Sequence, residues 1–129
     1  MTDPVTDAAW AARQNAYCPY SQFAVGAAIE AADGTVYAGA NIENAAYGIT
    51  MCAERVALGN AVVAGARGFR RIVIVTGTET PTAPCGACRQ ALSEFGLAVR
   101  VESVGASARR EWTLSELLPD HFGPGDLAE

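Results

Sequence analysis

The sequence contains no lysine. All nine of its cations are arginine, set against fourteen acidic residues for a net charge of −5. A chain so short of positive charge lacks the basic face that a nucleic-acid backbone requires, so a role on polynucleotide is set aside. Long apolar runs are missing too. No window approaches the roughly 20 apolar residues of a transmembrane helix, and no membrane role is expected. The N-terminus, Met1-Thr2-Asp3-Pro4-Val5-Thr6-Asp7, has no basic region followed by an apolar stretch. A secretory signal is therefore not expected, and the chain reads as cytoplasmic. Repeats, low-complexity tracts and linkers are absent. Histidine is down to one residue, His121.

What is present suits one ordinary domain spanning residues 1–129, since half of the residues are hydrophobic. Thr6 or Asp7 can cap a first helix running to about Tyr17, which Cys18-Pro19-Tyr20-Ser21 then breaks. Phe23, Val25, Ala27 and Ile29 alternate as in a strand. Asp33-Gly34 signals a hairpin turn, with a return strand over Thr35 to Ala40. Asn41 and Glu43, two apart in extended chain, are expected on one side. After an irregular stretch from Ala45 to Thr50, a helix is expected from about Cys52 to Ala64, apolar on nearly all sides and therefore buried, and closed by Gly65. Ile72-Val73-Ile74-Val75 reads as a strand covered on both faces. A Thr- and Pro-rich loop leads to Pro84, a second helix spans about Gly86 to Phe95, and a strand follows over Ala98 to Glu102. Glu111-Trp112 reads as a last short strand. Thr113-Leu114-Ser115-Glu116 has the pattern of a capping box opening a final helix. The order implies an α/β fold, a mixed sheet of about five strands flanked by helices.

Two short stretches carry the chemistry: Met51-Cys52-Ala53-Glu54-Arg55 and Pro84-Cys85-Gly86-Ala87-Cys88-Arg89. They supply three thiols and a carboxyl, one ligand short of a closed structural zinc site. Catalytic zinc sites keep a position open for water, so a hydrolytic zinc enzyme is the first expectation. Both stretches sit at helix starts. There the partial positive charge favours thiolate over thiol, and residues two and three apart can surround a point near the axis. Three thiolates and one Zn²⁺ sum to −1, and Arg55 and Arg89 are placed to hydrogen-bond the sulfurs and offset that charge. Two other readings stay open from the residues alone: a redox pair at Cys85 and Cys88, and a closed four-cysteine site completed by Cys18.

With these motifs in order, the chain resembles the small homotetrameric cytidine deaminases of the wider zinc-dependent nucleoside deaminase superfamily. The likeness rests on Tyr20-Ser21-Gln22-Phe23-Ala24-Val25-Gly26-Ala27, Asn41-Ile42-Glu43-Asn44-Ala45-Ala46-Tyr47, the two cysteine motifs, and Leu117-Leu118-Pro119 with Phe122. It implies one zinc per subunit, held by Cys52, Cys85 and Cys88 with water as fourth ligand. It also implies Glu54 as the proton shuttle. Asn41 and Glu43 resemble a ribose-binding pair, with Tyr47 in the same segment, and the backbone of Ala53 is expected to meet the base. Phe23 resembles a pocket-wall aromatic, and Phe122 an aromatic reaching a neighbouring subunit's pocket. Cys18 has no role in the family pattern and is expected to be an unligated thiol. His121, beside Asp120, is expected on the surface or at an interface.

The implied reaction is hydrolysis of cytidine and deoxycytidine, as in pyrimidine salvage. A deaminase of another aminopyrimidine nucleoside, such as blasticidin S, and a noncatalytic zinc-stabilised binding module are the alternatives.

Overall fold

The structure is a computed structural model and describes residues 3–127. In chain order it contains α1 (Pro4–Arg13), β1 (Val25–Ala31), β2 (Val36–Ala40), a 3-10 turn over Tyr47–Ile49, α2 (Ala53–Val63) and β3 (Phe69–Thr76). Then come α3 (Gly86–Ser93), β4 (Arg100–Val104), β5 (Arg109–Thr113), α4 (Leu114–Leu117) and α5 (Pro124–Leu127). The five strands form one sheet in the order β2-β1-β3-β4-β5. All neighbours run antiparallel except β3 and β4, which run parallel and are joined through α3. A parallel pair requires such a crossover.

The sheet is covered on both faces. Ala27, Ile29, Ile72, Ile74 and Val101 point to the side of α2, where they pack with Ala53, Ala57, Leu58 and Ala61. Ala28, Val73 and Val75 point the other way and meet Val5 and Ala9 of α1. The alternation read in β1 is therefore not a solvent-facing pattern. The intervening positions are Gly26 and Ala28, small because α1 lies directly on them. The mixed sheet, the hairpin at Asp33-Gly34 and the covered strand at Ile72–Val75 all agree with the sequence expectations.

Several boundaries differ. Asp3, not Thr6 or Asp7, caps α1. Its Oδ1 accepts from the Val5 amide at 3.2 Å, and Pro4 takes the first helical position, where its missing N–H costs nothing. The helix stops at Arg13 instead of Tyr17, because the Tyr17 amide is drawn into pairing with the Asn41 carbonyl at 2.9 Å. α2 buries one stripe, and Val63 is 91% exposed, since only one side of this helix meets the sheet. α3 ends before Phe95, β4 extends to Val104, and α5 was not foreseen. The capping box is present: the Thr113 amide donates to the Glu116 carboxylate at 2.8 Å.

Two glycines place α2. A Cβ on Gly39 of β2 would lie 2.4 Å from the Ala57 nitrogen and 2.8 Å from the Ala53 carbonyl oxygen. Only glycine lets the helix start sit that close to the sheet. At the other end Gly65 has φ +103°, and the pair of bonds Ala66 N to Ala61 O and Gly65 N to Val62 O closes a Schellman motif.

Candidate active site

Cys52 is the N-cap of α2 and Cys85 the N-cap of α3. Cys88 lies one turn into α3 and is fully buried. The two helix starts are side by side, so the three sulfurs converge. All lie within 4.8 Å of one another, with Cys52 to Cys85 at 3.8 Å and Cys85 to Cys88 at 3.5 Å. Sulfurs held by one tetrahedral zinc at about 2.3 Å stand roughly 3.8 Å apart, so the donor set fits zinc. No disulfide joins them, and Cys18 is outside the cluster, free and half-buried. That excludes the closed four-cysteine reading.

The electrostatics match a cation site. Hydrogen bonding from Cys88, with further help from Arg55 and Cys85, pulls the Cys52 thiol down to about 5 against the effect of its burial. The same bond, with burial and the charges of Glu54 and Cys52, pushes the Cys88 thiol up. A cation bound among the three sulfurs would offset the charge of their thiolates. Arg55 Nη2 stands 3.7 Å from the Cys52 sulfur. Its Nε is buried without a hydrogen-bond partner.

Glu54, in the first turn of α2, is 6% exposed. Burial pushes its carboxyl up, and the Cys52 charge adds to this. A buried carboxyl with a raised pKa is suited to carrying a proton near neutrality.

Beside these groups is a cavity of about 190 Å³ lined by Phe23, Val25, Asn41, Thr50, Met51, Cys52, Ala53, Glu54, Ile74, Thr76, Thr82, Ala83 and Cys85. It is smaller than the roughly 300–1,000 Å³ of pockets that engulf a whole ligand. It can take a ring-sized group and leaves the remainder of a ligand at the mouth. No arginine lines it.

The expected binding residues divide. Phe23, Asn41 and Ala53 line this cavity. Glu43 and Tyr47 instead line an adjoining cleft with Tyr20, Ser21 and Thr50, and Thr50 is common to both. Asn41 is spent on backbone: its Nδ2 donates to the Phe23 carbonyl at 2.8 Å and its Oδ1 accepts from Val25 N at 3.0 Å. Glu43 accepts from the amides of Tyr20 and Ser21 at 3.0 and 3.1 Å and from the Ser21 hydroxyl. These bonds, led by that of Ser21, hold its carboxyl below the usual range. Phe122 is outside the cavity of its own chain, 58% exposed, in a groove with Gln90 and Glu94.

Arg89 corrects the expectation. It reaches no sulfur; its Nε donates to the Pro84 carbonyl at 2.8 Å and its Nη1 to the Leu117 carbonyl at 2.9 Å. It follows Cys88 directly, about 100° round the helix, and so leaves the cluster. It ties the loop before Cys85 to the end of α4. The sequence reading missed Thr76, Thr82 and Ala83. The Thr- and Pro-rich loop was visible, but its fold-back against β4, where the Ser103 hydroxyl donates to the Thr82 carbonyl at 2.7 Å, has no local signature.

Comparison with known proteins agrees with this geometry. The model of the cytidine and deoxycytidylate deaminase zinc-binding region matches residues 2–103. The chain is 48% identical over 120 residues to the cytidine deaminase of Sporosarcina psychrophila, covering 91% of this chain and 88% of that protein. It is 41% identical over 116 residues to that of Mycobacterium tuberculosis, covering 90% and 85%. Among solved structures it is similar to the cytidine deaminase of Burkholderia pseudomallei, with a TM-score of 0.89 at 46% identity over 95% of this chain and 100% of that one.

Proposed function

The chain belongs to the cytidine and deoxycytidylate deaminase family, and on that premise we propose how its own residues carry out the reaction. The activity is hydrolytic deamination of cytidine to uridine with release of ammonia, and the proposal extends it to 2′-deoxycytidine. Cys52, Cys85 and Cys88 would hold one zinc ion, which when bound acts as a Lewis acid and lowers the pKa of a water toward neutrality.

The observation that carries the reading is the shared cavity. Glu54, Cys52 and Cys85 line one small recess of a size for a pyrimidine ring. Glu54 is the proton carrier. It takes a proton from the attacking water as the oxygen bonds to C4 and gives it to N3 of the ring. It then takes the remaining proton of that C4 hydroxyl and delivers it to the amine, so that the C4–N bond breaks and ammonia leaves. Its burial favours the protonated form it must hold between these steps. The Ala53 amide region meets the ring edge, Phe23 walls the ring, and Asn41 keeps that wall in place while facing the recess. Glu43 and Tyr47, in the cleft joined through Thr50, receive the sugar. The absence of any arginine along the lining, with ionised Glu43 at the mouth, favours a neutral nucleoside over a nucleotide.

The proposal treats residues 1–129 as one catalytic domain in a homotetramer set in the cytoplasm. Support for self-association is the exposed apolar set Tyr17, Tyr20, Ile42, Tyr47, Ile49 and Met51, beside the site. Phe122, exposed and outside its own cavity's lining, would close a second copy's recess. Among the described residues no helix is long and apolar enough to cross a membrane.

Ammonia release from cytosine, cytidine, deoxycytidine and their monophosphates, with and without a chelator, tests the reading. Turnover of the nucleosides alone, lost on chelation, is expected. Equal turnover of monophosphates would reject the nucleoside assignment.

A further inference from the structure

α1 contributes nothing to the cavity lining and lies on the opposite face of the sheet from α2. Its last residue nevertheless reaches the cavity wall from behind. We propose that Arg13 is a positioning residue for substrate binding, holding the Phe23–Val25 segment in register with the end of β3.

The segment needs holding. Phe23 and Val25 both line the cavity, yet Ala24 between them precedes β1. Its carbonyl accepts from Arg13 Nε at 2.9 Å, and the guanidinium is steadied over the Trp10 ring at 5.7 Å. Asn41 grips the flanking groups, the Phe23 carbonyl and the Val25 amide. Two side chains thus fix three consecutive residues, one from the cavity side and one from α1.

The same guanidinium meets the second strand of the wall. Val25 pairs across the sheet with Thr76, and both line the cavity. The next residue is Gly77, where an added Cβ would lie 2.5 Å from Arg13 Nη2. Arg13 therefore sits where β1 begins and β3 ends, against the two strand ends that form the recess. The thiols and Glu54 hang from α2 and α3, which Arg13 does not touch. Loosening it should weaken grip on the ring without disabling the proton carrier.

The inference rests on reading the recess as the nucleoside site. Wild-type turnover tests that reading; only the variants test Arg13. In Arg13→Ala, KM for cytidine should rise on the order of tenfold, the scale of one lost charge-assisted hydrogen bond, with kcat within about twofold and zinc content unchanged. Arg13→Lys, which keeps a donor for the Ala24 carbonyl, should recover most of the loss. Gly77→Ala should raise KM by pushing the guanidinium aside, and should add nothing in an Arg13→Ala background, where the space is free.

A KM within about twofold of wild type in Arg13→Ala overturns the proposal. So does a loss confined to kcat or zinc, or a Gly77→Ala effect as large without Arg13 as with it. If Arg13→Ala does not fold, Gly77→Ala decides: a raised KM at full zinc content supports the role, and a wild-type KM rejects it.

Discussion

The Arg55 guanidinium joins the Cys52 sulfur, at 3.7 Å, to the Thr50 carbonyl, at 3.1 Å, through a single nitrogen. The charge that offsets the thiolate thus also fixes the residue shared by the cavity and its adjoining cleft. Replacing Arg55 by alanine removes a donor beside the ligand. Zinc affinity should fall by about 10- to 100-fold, measured by competition with a chromogenic chelator. Unchanged affinity would show that the Cys52 thiolate does not depend on Arg55.

Asn41 supplies both halves of its amide to backbone that the sheet leaves unpaired. Asn41→Ala should cost about 1 kcal/mol in denaturant unfolding, because a part-buried carbonyl and a part-buried amide lose their partners. Asn41→Asp should lose at least as much, since a carboxylate keeps an acceptor for Val25 N but sets an oxygen against the Phe23 carbonyl and buries an unpaired charge. If both variants unfold like wild type, the clamp is not structural.

Much of this was legible in the sequence, and the failures have physical causes. Cys52 with Glu54, and Cys85 with Cys88, were readable within each motif because each motif begins a helix; that the two helix starts stand side by side is not set by spacing and was expected from the family resemblance. Thr113 and Glu116 were readable because they too begin a helix. Asp3 was missed as a cap because Thr6 and Asp7 offer equally good chemistry. What selects Asp3 is Arg71, 68 positions away, to which its carboxylate is paired. Arg89 was misassigned because adjacency to a ligand does not say which way a helical side chain points. Asn41 and Glu43 share a side in an ideal strand, but β2 ends at Ala40, and beyond it Glu43 is drawn to the turn at Tyr20 and Ser21.

The charged face of β4 gives a pH prediction. Glu102 is 1% exposed and lies against Arg71 at 3.2 Å, Arg100 at 2.7 Å and Arg109. Burial alone would raise its carboxyl, but the hydrogen bonds from Arg100 and Arg109 and the charge of Arg71 outweigh it, and the net shift is downward. A lowered folded-state pKa contributes stability that is complete above the unfolded value, about 4.3, and is lost as pH falls through the folded value. Glu102→Gln should therefore be destabilised by about 1–3 kcal/mol at pH 7, less than for a fully buried pair because Arg100 and Arg109 keep much of their surface in water. The gap to wild type should close in acid. Urea unfolding across pH checks this, and a gap that persists below the folded pKa would contradict it.

Phe122 tests the shared site. Phe122→Ala should raise KM for cytidine by about 5- to 50-fold, the scale of one base-stacking contact, at unchanged zinc content. Sedimentation should find a tetramer at assay concentrations. A fully active monomer would refute the role across subunits.

The most direct test of the account is Glu54→Gln with zinc and cytidine turnover measured on the same sample. The amide keeps the size and burial of Glu54 but cannot carry the proton. Zinc should remain near one per chain, and kcat should fall by about 10²- to 10⁴-fold, the scale of a lost general acid–base. Wild-type turnover in a zinc-loaded Glu54→Gln would contradict the account at its centre.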